Sequence, residues 1–204
     1  MSDDKNGLQY LLYLPDNYAT QARWPLVLFL HGSGERGDAI DQVKKHGPPK
    51  LVAAGKRFPF ILVSPQCPRN QRWDVIQLDA LLNQLEAKYR VDGNRIYVTG
   101  LSMGATGTWA MIAAAPNRFA AIAPICGRGN PGTAKSFATT PTWVFHGAQD
   151  PTVPIRESQR MVEALKAAGG QPRFTVYPNA KHDSWTAAYG TAEFYDWLLS
   201  QERK

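Results

Sequence analysis

The chain has 204 residues, of which 44% are hydrophobic, so it can bury one substantial core and we predict a single catalytic domain over residues 1–204. Its net charge of +6 comes from basic residues in short, scattered groups, which argues against a nucleic-acid partner. No apolar stretch is long enough to span a bilayer, and residues 1–7 contain no hydrophobic signal region, so we expect neither a membrane span nor a leader in this chain.

Apolar, β-branched runs recur along the chain and alternate with helical patterns. Between these runs, residues 77–89 place leucines at the spacing of one helical face. The segment after Ser102 is small and apolar, as expected of a central helix pressed against a sheet. The alternation predicts an α/β fold, with a mostly parallel central sheet covered by helices on both faces. The predicted strands are residues 8–14, 25–30, 60–63, 96–99, 120–125, 142–145 and 173–177.

A glycine-rich loop, residues 31–37, follows the second predicted strand. Between Gly32 and Gly37 it matches G-x-G-x-x-G, the pattern of a dinucleotide-binding turn. The context does not fit, because Gly47-Pro48-Pro49 interrupts the helix that should follow. The next strand also ends without an acidic residue for a ribose hydroxyl. We therefore expect no dinucleotide cofactor at this loop.

Ser102 lies in Gly100-Leu101-Ser102-Met103-Gly104, directly after an apolar strand and directly before a helix. This is G-x-S-x-G in the strand, turn and helix context that a serine nucleophile requires. A serine hydroxyl is a weak nucleophile, so it must project from a tight turn toward a base and an oxyanion site. The two glycines leave room for that turn. The pattern predicts Ser102 as a catalytic nucleophile.

An acid and a base should follow this serine in the order Asp/Glu, then His, each on a loop after a later strand. Asp150 follows the strand at 142–145, and His182 follows the strand at 173–177. We therefore predict that His182 takes the serine proton and that Asp150 holds its imidazole. His146 is an alternative base, although a histidine before a glycine at a strand end is more often a hydrogen-bonded turn residue. Asp183 is an alternative acid, although its position next to His182 suggests an exposed surface carboxylate.

Nucleophilic attack on a carbonyl also requires two backbone N–H groups for the developing oxyanion. One is expected from Met103, the residue after the nucleophile, at the start of its helix. The other is expected from the loop after an earlier strand, where we choose Ser33 and keep Gly32 as the alternative.

Two cysteines, Cys67 and Cys126, each follow a predicted strand, so both should lie at the same edge of the sheet. Spacing alone leaves open whether they form a disulfide or remain buried thiols. No cysteine and histidine residues have the spacing of a metal site, so we expect no metal and no cofactor.

Five ordered motifs resemble one group of α/β-hydrolases: residues 30–37, 64–68 with Trp73, 100–105, 124–127 and 146–150. The group contains compact esterases related to dienelactone hydrolase, polyhydroxybutyrate depolymerase and feruloyl esterases, often labelled predicted peptidases. The resemblance covers nearly the whole chain. It implies an α/β-hydrolase fold and a serine carboxylesterase that acts through an acyl-enzyme intermediate. It is compatible with a secreted parent protein, and the compartment stays open.

α/β-Hydrolases usually carry a lid between the strands that here end at residue 125 and begin at residue 142. Residues 126–141 are few and rich in Gly, Ala and Thr, so we expect no lid domain. An open site favours small-molecule esters with short acyl chains, or esters attached to a polymer. Trp73 and Trp185 are expected to line the acyl or alcohol pocket, although core packing explains either residue equally well.

Two other functions share this pattern. A serine peptidase would use the same triad, with an acid aligned to protonate the leaving amine. A non-catalytic binding module would keep the fold after losing activity, although all three residue types are present in order. The sequence does not identify the natural ester or the oligomeric state, for which a monomer is the simplest expectation.

Overall fold

The computed structural model describes residues 2–3 and 8–203. Within these residues, eight strands form one sheet in the order β1-β2-β4-β3-β5-β6-β7-β8. β1 and β2 pair antiparallel to each other, β2 pairs antiparallel to β4, and the remaining pairs are parallel. The strands are β1 (Ser2–Asp3), β2 (Gln9–Tyr13), β3 (Trp24–Leu30), β4 (Ile61–Pro65), β5 (Val91–Leu101), β6 (Ala121–Ile125), β7 (Trp143–Gly147) and β8 (Arg173–Tyr177).

Helices cover both faces of the sheet, which confirms the predicted architecture. The α-helices are α1 (Gly47–Ala53), α2 (Val75–Lys88), α3 (Met103–Ala114), α4 (Arg156–Ala167), α5 (Trp185–Gly190) and α6 (Ala192–Leu199). Shorter 3-10 helices span Tyr18–Thr20, Ser33–Glu35, Ile40–Lys45 and Pro131–Phe137. In the part of the chain that the structure describes, no helix is long and apolar enough to cross a membrane.

The alternation of side chains along β3 shows why two cores form. All seven residues of this strand are buried. Leu26, Leu28 and Leu30 belong to one core with α2, α3 and α4. Val27 and Phe29 belong to the other, with α5 and α6. Since successive side chains of a strand point to opposite faces, a continuous apolar run is the pattern of a strand covered on both sides.

The segment after the loop is interrupted at Gly47-Pro48-Pro49 as expected, because the 3-10 helix Ile40–Lys45 ends before it, but the same residues also begin the short helix α1. Proline is well suited to the first helical turn, where its missing N–H has no partner to lose and its fixed φ already fits. Gly47 itself has a φ of 66°, and a Cβ at this position would lie 2.5 Å from the Phe29 ring. The loop at 31–37 nevertheless leads into 3-10 helices rather than the long helix of a dinucleotide-binding unit.

The segment at the usual lid position, residues 126–141, builds only the 3-10 helix Pro131–Phe137. Ala134 and Phe137 of this helix are buried in the core that contains α3 and α4. The Phe137 ring lies 6.1 Å from that of Trp109 on α3. The segment therefore packs against the core that contains α3 and α4, and it forms no separate lid.

Candidate active site

Ser102 occupies a strained turn between β5 and α3. Its φ of 53° and ψ of −113° lie in a region that residues with a side chain rarely adopt. The turn brings α3 directly against β3, since a Cβ on Gly104 would lie 1.8 Å from the Leu30 carbonyl oxygen. A Cβ on Gly100 would lie 2.5 Å from the Gly104 carbonyl group. Both glycines are thus required by close backbone approach, as the motif predicts.

Three side chains from separate loops form a hydrogen-bonded row at the carboxyl edge of the sheet. The Oγ atom of Ser102 lies 2.9 Å from Nε2 of His182, and Nδ1 of His182 lies 2.7 Å from Oδ2 of Asp150. The Asp150 side chain is fully buried, whereas the His182 side chain is 21% exposed. The structure therefore brings together the three residues that the sequence pattern selects.

The surroundings of Asp150 favour its ionised form. Burial raises the pKa of this carboxyl group, but hydrogen bonds from His182 and from the Val153 and Thr152 N–H groups outweigh that effect and hold the pKa below its usual range. The Thr152 and Val153 amides lie 2.8 and 2.9 Å from Oδ1. An ionised carboxylate only accepts, so Nδ1 of His182 donates, and Nε2 is left to accept the Ser102 hydroxyl proton.

The alternative acid, Asp183, lies at the surface. Its side chain is exposed, and its carbonyl oxygen accepts the Thr186 N–H at 3.0 Å just before the first turn of α5. The carboxylate against the His182 ring belongs to Asp150.

The expected oxyanion donors lie at two chain turns beside Ser102. Met103 is the first residue of α3, where backbone N–H groups have no acceptor within the helix. The loop at 31–37 approaches from the other side, since a Cβ built on Gly32 would lie 3.7 Å from Cβ of Ser102. The Gly32 N–H already donates to Oε2 of Glu35 at 3.0 Å. Ser33, the first residue of its 3-10 helix, is therefore the better donor of the two that the sequence offers.

A buried histidine, His31, holds this loop in place. Nδ1 lies 2.6 Å from the Gly32 carbonyl oxygen, and Nε2 accepts the Cys67 N–H at 3.0 Å. Burial is the main cause that lowers the pKa of His31, to about 4. The ring is therefore neutral near pH 7, with its proton on Nδ1.

Trp185 and Trp73 differ in how they contact the hydrogen-bonded row of Ser102, His182 and Asp150. The Trp185 ring packs edge-to-face on His182, with ring centres 5.2 Å apart. Trp73 lies 4.8 Å from the His31 ring and donates its indole N–H to the His31 carbonyl oxygen at 3.2 Å. Both are half-buried. Trp185 thus contacts the proposed base directly, whereas Trp73 reaches the site through the loop at 31–37.

Both cysteines are free, buried thiols. Cys126 donates to the His182 carbonyl oxygen at 3.4 Å, and burial is the main cause that raises its pKa to about 12. Its sulfur and ligand atoms of Asp150 and His182 lie within 4.8 Å of one another, a group that could hold a metal and that sequence spacing misses because three loops supply it. A metal there would have to ionise this thiol and replace the His182–Asp150 hydrogen bond, so the contacts favour the hydrogen-bonded row.

Two further histidines, His146 and His46, contact residues around the site. The ring nitrogens of His146, the alternative base, face Ser158, Val153 and Asp150 rather than Ser102, and its Nε2 lies 3.3 Å from Oδ2 of Asp150. His46 lies with Nε2 3.8 Å from Oε1 of the buried Glu35, and its ring centre is 5.4 Å from that of Trp185. His146 and Asp150 are four residues apart at the end of β7, whereas the contacts of His46 join separate segments of the chain.

Comparisons with known proteins agree with this architecture. The chain is 25% identical over 191 residues to a bifunctional acetylxylan esterase/xylanase from Neocallimastix patriciarum, which covers 88% of this chain and 27% of that protein. It is 25% identical over 171 residues to a probable feruloyl esterase C from Aspergillus oryzae, covering 81% of this chain and 63% of that protein. The chain thus spans less than two thirds of the length of these relatives.

Solved structures give the same picture. The crystal structure of a thermostable esterase matches with a TM-score of 0.84 and 32% identity, over 96% of this chain and 60% of that chain. A second esterase structure, at 21% identity, matches with a TM-score of 0.68 over 94% of this chain and 99% of that one. These matches confirm the α/β-hydrolase fold. The model of the dienelactone hydrolase family matches residues 11–191, and the chain belongs to that family.

Proposed function

We propose that this protein is a serine carboxylesterase. The observation that carries the proposal is the continuous row from Ser102 Oγ through His182 to Asp150, with contacts of 2.9 and 2.7 Å. The strained backbone at Ser102 supports the proposal, because such conformations cluster at active sites, where the surrounding structure stabilises them. The family relationship and the esterase relatives support ester hydrolysis as the reaction.

The geometry supports a two-step mechanism. His182 accepts the Ser102 proton at Nε2 as the serine oxygen attacks the ester carbonyl carbon, and Asp150 stabilises the imidazolium that forms. The N–H groups of Met103 and Ser33 donate to the oxyanion. The tetrahedral intermediate then collapses, His182 protonates the departing alcohol oxygen, and an acyl-enzyme remains. A water molecule then attacks the acyl carbon while Nε2 of His182 takes one of its protons. The bond between that carbon and Oγ of Ser102 breaks, the carboxylic acid leaves, and His182 gives its proton to Oγ.

The substrate class follows from the openness of the site. Residues 126–141 pack against α3 and α4, so they build no wall above Ser102 for a long acyl chain. We infer that the enzyme acts on short-chain esters or on ester groups attached to a polymer, with Trp185 and Trp73 beside the acyl or alcohol group. The acetylxylan and feruloyl esterase relatives support a polymer-attached ester.

The test is covalent labelling of Ser102 together with turnover. Wild-type protein should react with a fluorophosphonate probe and hydrolyse p-nitrophenyl acetate, and the matched acetyl anilide should be cleaved far more slowly. Ser102→Ala should lose both labelling and hydrolysis, since loss of a triad residue leaves only roughly 10³–10⁴-fold catalysis over water. A circular dichroism melt checks that the variant is folded.

Each result has a definite meaning. Labelling at another residue, or an Ser102→Ala variant that keeps more than a few per cent of wild-type turnover, would contradict the proposed nucleophile. Equal rates on the ester and the anilide would favour a peptidase. A folded wild-type protein that neither reacts with the probe nor turns over any ester would indicate a non-catalytic module.

A further inference from the structure

A second histidine contacts the carboxylate that holds His182. His146, in β7, is fully buried. Its Nε2 atom lies 2.8 Å from the Val153 carbonyl oxygen and 3.3 Å from Oδ2 of Asp150. We propose that His146 is a positioning residue, which fixes the Asp150 carboxylate, and through it the His182 ring, by one N–H group shared between Asp150 and Val153. The inference rests on the proposed ester hydrolysis for its effect on turnover.

The contacts of the His146 ring determine which nitrogen carries the proton. The Val153 carbonyl oxygen can only accept, so Nε2 must be the donor. Nδ1 then accepts from the Ser158 hydroxyl on α4, 2.7 Å away. Burial is the main cause that lowers the pKa of His146, which keeps the ring neutral with this tautomer. Two hydrogen-bond partners that differ in kind therefore hold the ring in one orientation.

The acid loop is closed around His146. The Val153 N–H donates to Oδ1 of Asp150 at 2.9 Å, while the carbonyl of the same residue accepts from His146. Asp150 thus receives two backbone donors on Oδ1, while Oδ2 accepts from His182 at 2.7 Å and lies 3.3 Å from Nε2 of His146. Donors on both oxygens fix the plane of the carboxylate, and a fixed carboxylate fixes the ring that it holds.

The charged groups around Asp150 show what removal of His146 should do. The titratable groups near it are His182, His146, the Cys126 thiol and, more remotely, Asp183. Cys126 is neutral because burial raises its pKa, and Asp183 is exposed. Loss of the His146 donor leaves the Asp150 charge less compensated within the hydrogen-bonded row. The acid limb of kcat/KM should therefore move upward in pH.

The experiment compares three variants with wild type. His146→Leu removes both ring nitrogens, whereas His146→Gln places a carboxamide N–H near the position of Nε2. Ser158→Ala removes the partner of Nδ1 but keeps the Nε2–H group and its Val153 partner, so it separates the loss of a buried hydrogen bond from the loss of the donor near Asp150. For each variant we would measure kcat and KM on p-nitrophenyl acetate across pH, the melting temperature, and the downfield NMR resonance of the Nδ1–H of His182. The tautomer of His146 in wild-type protein would be read from ¹⁵N shifts.

We expect His146→Leu to lower kcat by about 10–100-fold with little change in KM, since misplacement of a catalytic group costs rate rather than binding. The acid limb should move to higher pH, and the Nδ1–H resonance should shift or disappear. His146→Gln should recover most of kcat. Ser158→Ala should lower the melting temperature while leaving the acid limb in place.

Several results would overturn the inference. These are an unchanged acid limb and resonance in His146→Leu, equal losses of kcat in His146→Leu and His146→Gln, or a wild-type His146 protonated on Nδ1. If His146→Leu does not fold, His146→Gln and the wild-type tautomer decide. A wild-type protein without esterase activity would contradict the proposed function instead, and the NMR measurements would still test whether His146 positions Asp150 and His182.

Discussion

The two edges of the sheet differ in how closely the chain packs. At the carboxyl edge, a Cβ on Gly104 would lie 1.8 Å from a β3 carbonyl oxygen, and one on Gly147 would lie 2.2 Å from the carbonyl oxygen of Lys181. At the opposite edge lies a cavity of about 1080 Å³. It is formed by the segments before β6 and β7 and by the last residues of the chain, and its lining includes Asn94, Asn117, Thr140 and Arg203.

The wide cavity and the candidate catalytic residues therefore lie at opposite ends of the strands. The wide cavity at the opposite edge is bordered by residues such as Phe137, Thr139 and Pro141, and the row from Ser102 to Asp150 lies at the other end of the strands. Close backbone approach at the carboxyl edge places three side chains from different loops within hydrogen-bond distance. Cavity size alone would therefore direct attention to the wrong edge of the molecule.

The largest effect should follow from a change in the row that leaves the packing intact. We expect Asp150→Asn to lower kcat by roughly 10⁴-fold, the loss known for this substitution in a related triad, because an amide favours the wrong tautomer of His182. Asp183→Asn is the matched control, since Asp183 is exposed, and it should change kcat little. Steady-state kinetics on p-nitrophenyl acetate measure both. A larger loss at Asp183 would transfer the role of the acid to that residue.

The tightness of packing at each edge can be tested by substituting one glycine there. Gly104→Ala should destabilise the protein by several kcal/mol or prevent folding, because its Cβ meets the Leu30 backbone and neither β3 nor α3 can move freely. Gly93→Ala, at the opposite edge, should cost little, because its Cβ would meet only Oε1 of Glu86 at 3.7 Å. Urea unfolding compares the two variants. Similar free energies of unfolding would show that the carboxyl edge is no tighter than the other.

Acid should weaken the carboxyl edge through His31. Its pKa is about 4 in the folded chain, mainly through burial, against about 6.5 when unfolded. Stability from the neutral ring is fully present above pH 6.5 and is lost as the pH falls toward 4, by about 3 kcal/mol at most.

The variant His31→Asn isolates this contribution. The asparagine amide can still donate toward the Gly32 carbonyl oxygen but cannot take up a proton. It should be less stable than wild type at pH 7 and should lose less additional stability between pH 6.5 and pH 4. Urea unfolding across this range measures the difference. Parallel pH curves for the two proteins would show that His31 does not titrate in this way.

The parts of the site that depend on local sequence could be predicted, and the parts that depend on how loops meet could not. Ser102 and Met103 follow from one strand, one turn and one helix. Asp150 and His182 follow from their positions after two strands. The contact of His146 with Asp150 arises because residues 150–153 fold back on β7, and the contact of His46 with Glu35 joins two separate turns.

The errors in the fold have equally specific causes. The sequence analysis predicts the interruption at Gly47-Pro48-Pro49 but not the helix α1 that these residues begin, where proline is favourable because it lies in the first turn. β1 has only two residues and therefore no pattern of its own. Its pairing with β2 depends on the neighbouring strand rather than on its sequence.

The smallest expected effect concerns acyl chain length, which separates the two edges as binding surfaces. Each buried methylene can add about 0.8 kcal/mol, but only where a wall exists to bury it. Since residues 126–141 build no lid, kcat/KM on p-nitrophenyl esters should peak at roughly two to four acyl carbons and decline for longer chains. Rates should also rise smoothly with concentration, without a jump at the solubility limit.

Thr139→Trp, which places an indole in the cavity at the opposite edge, should leave this profile unchanged. A preference for long chains would mean that the loops near Trp73 or before β7 cover Ser102, and a profile altered by Thr139→Trp would mean that the wide cavity takes part in binding.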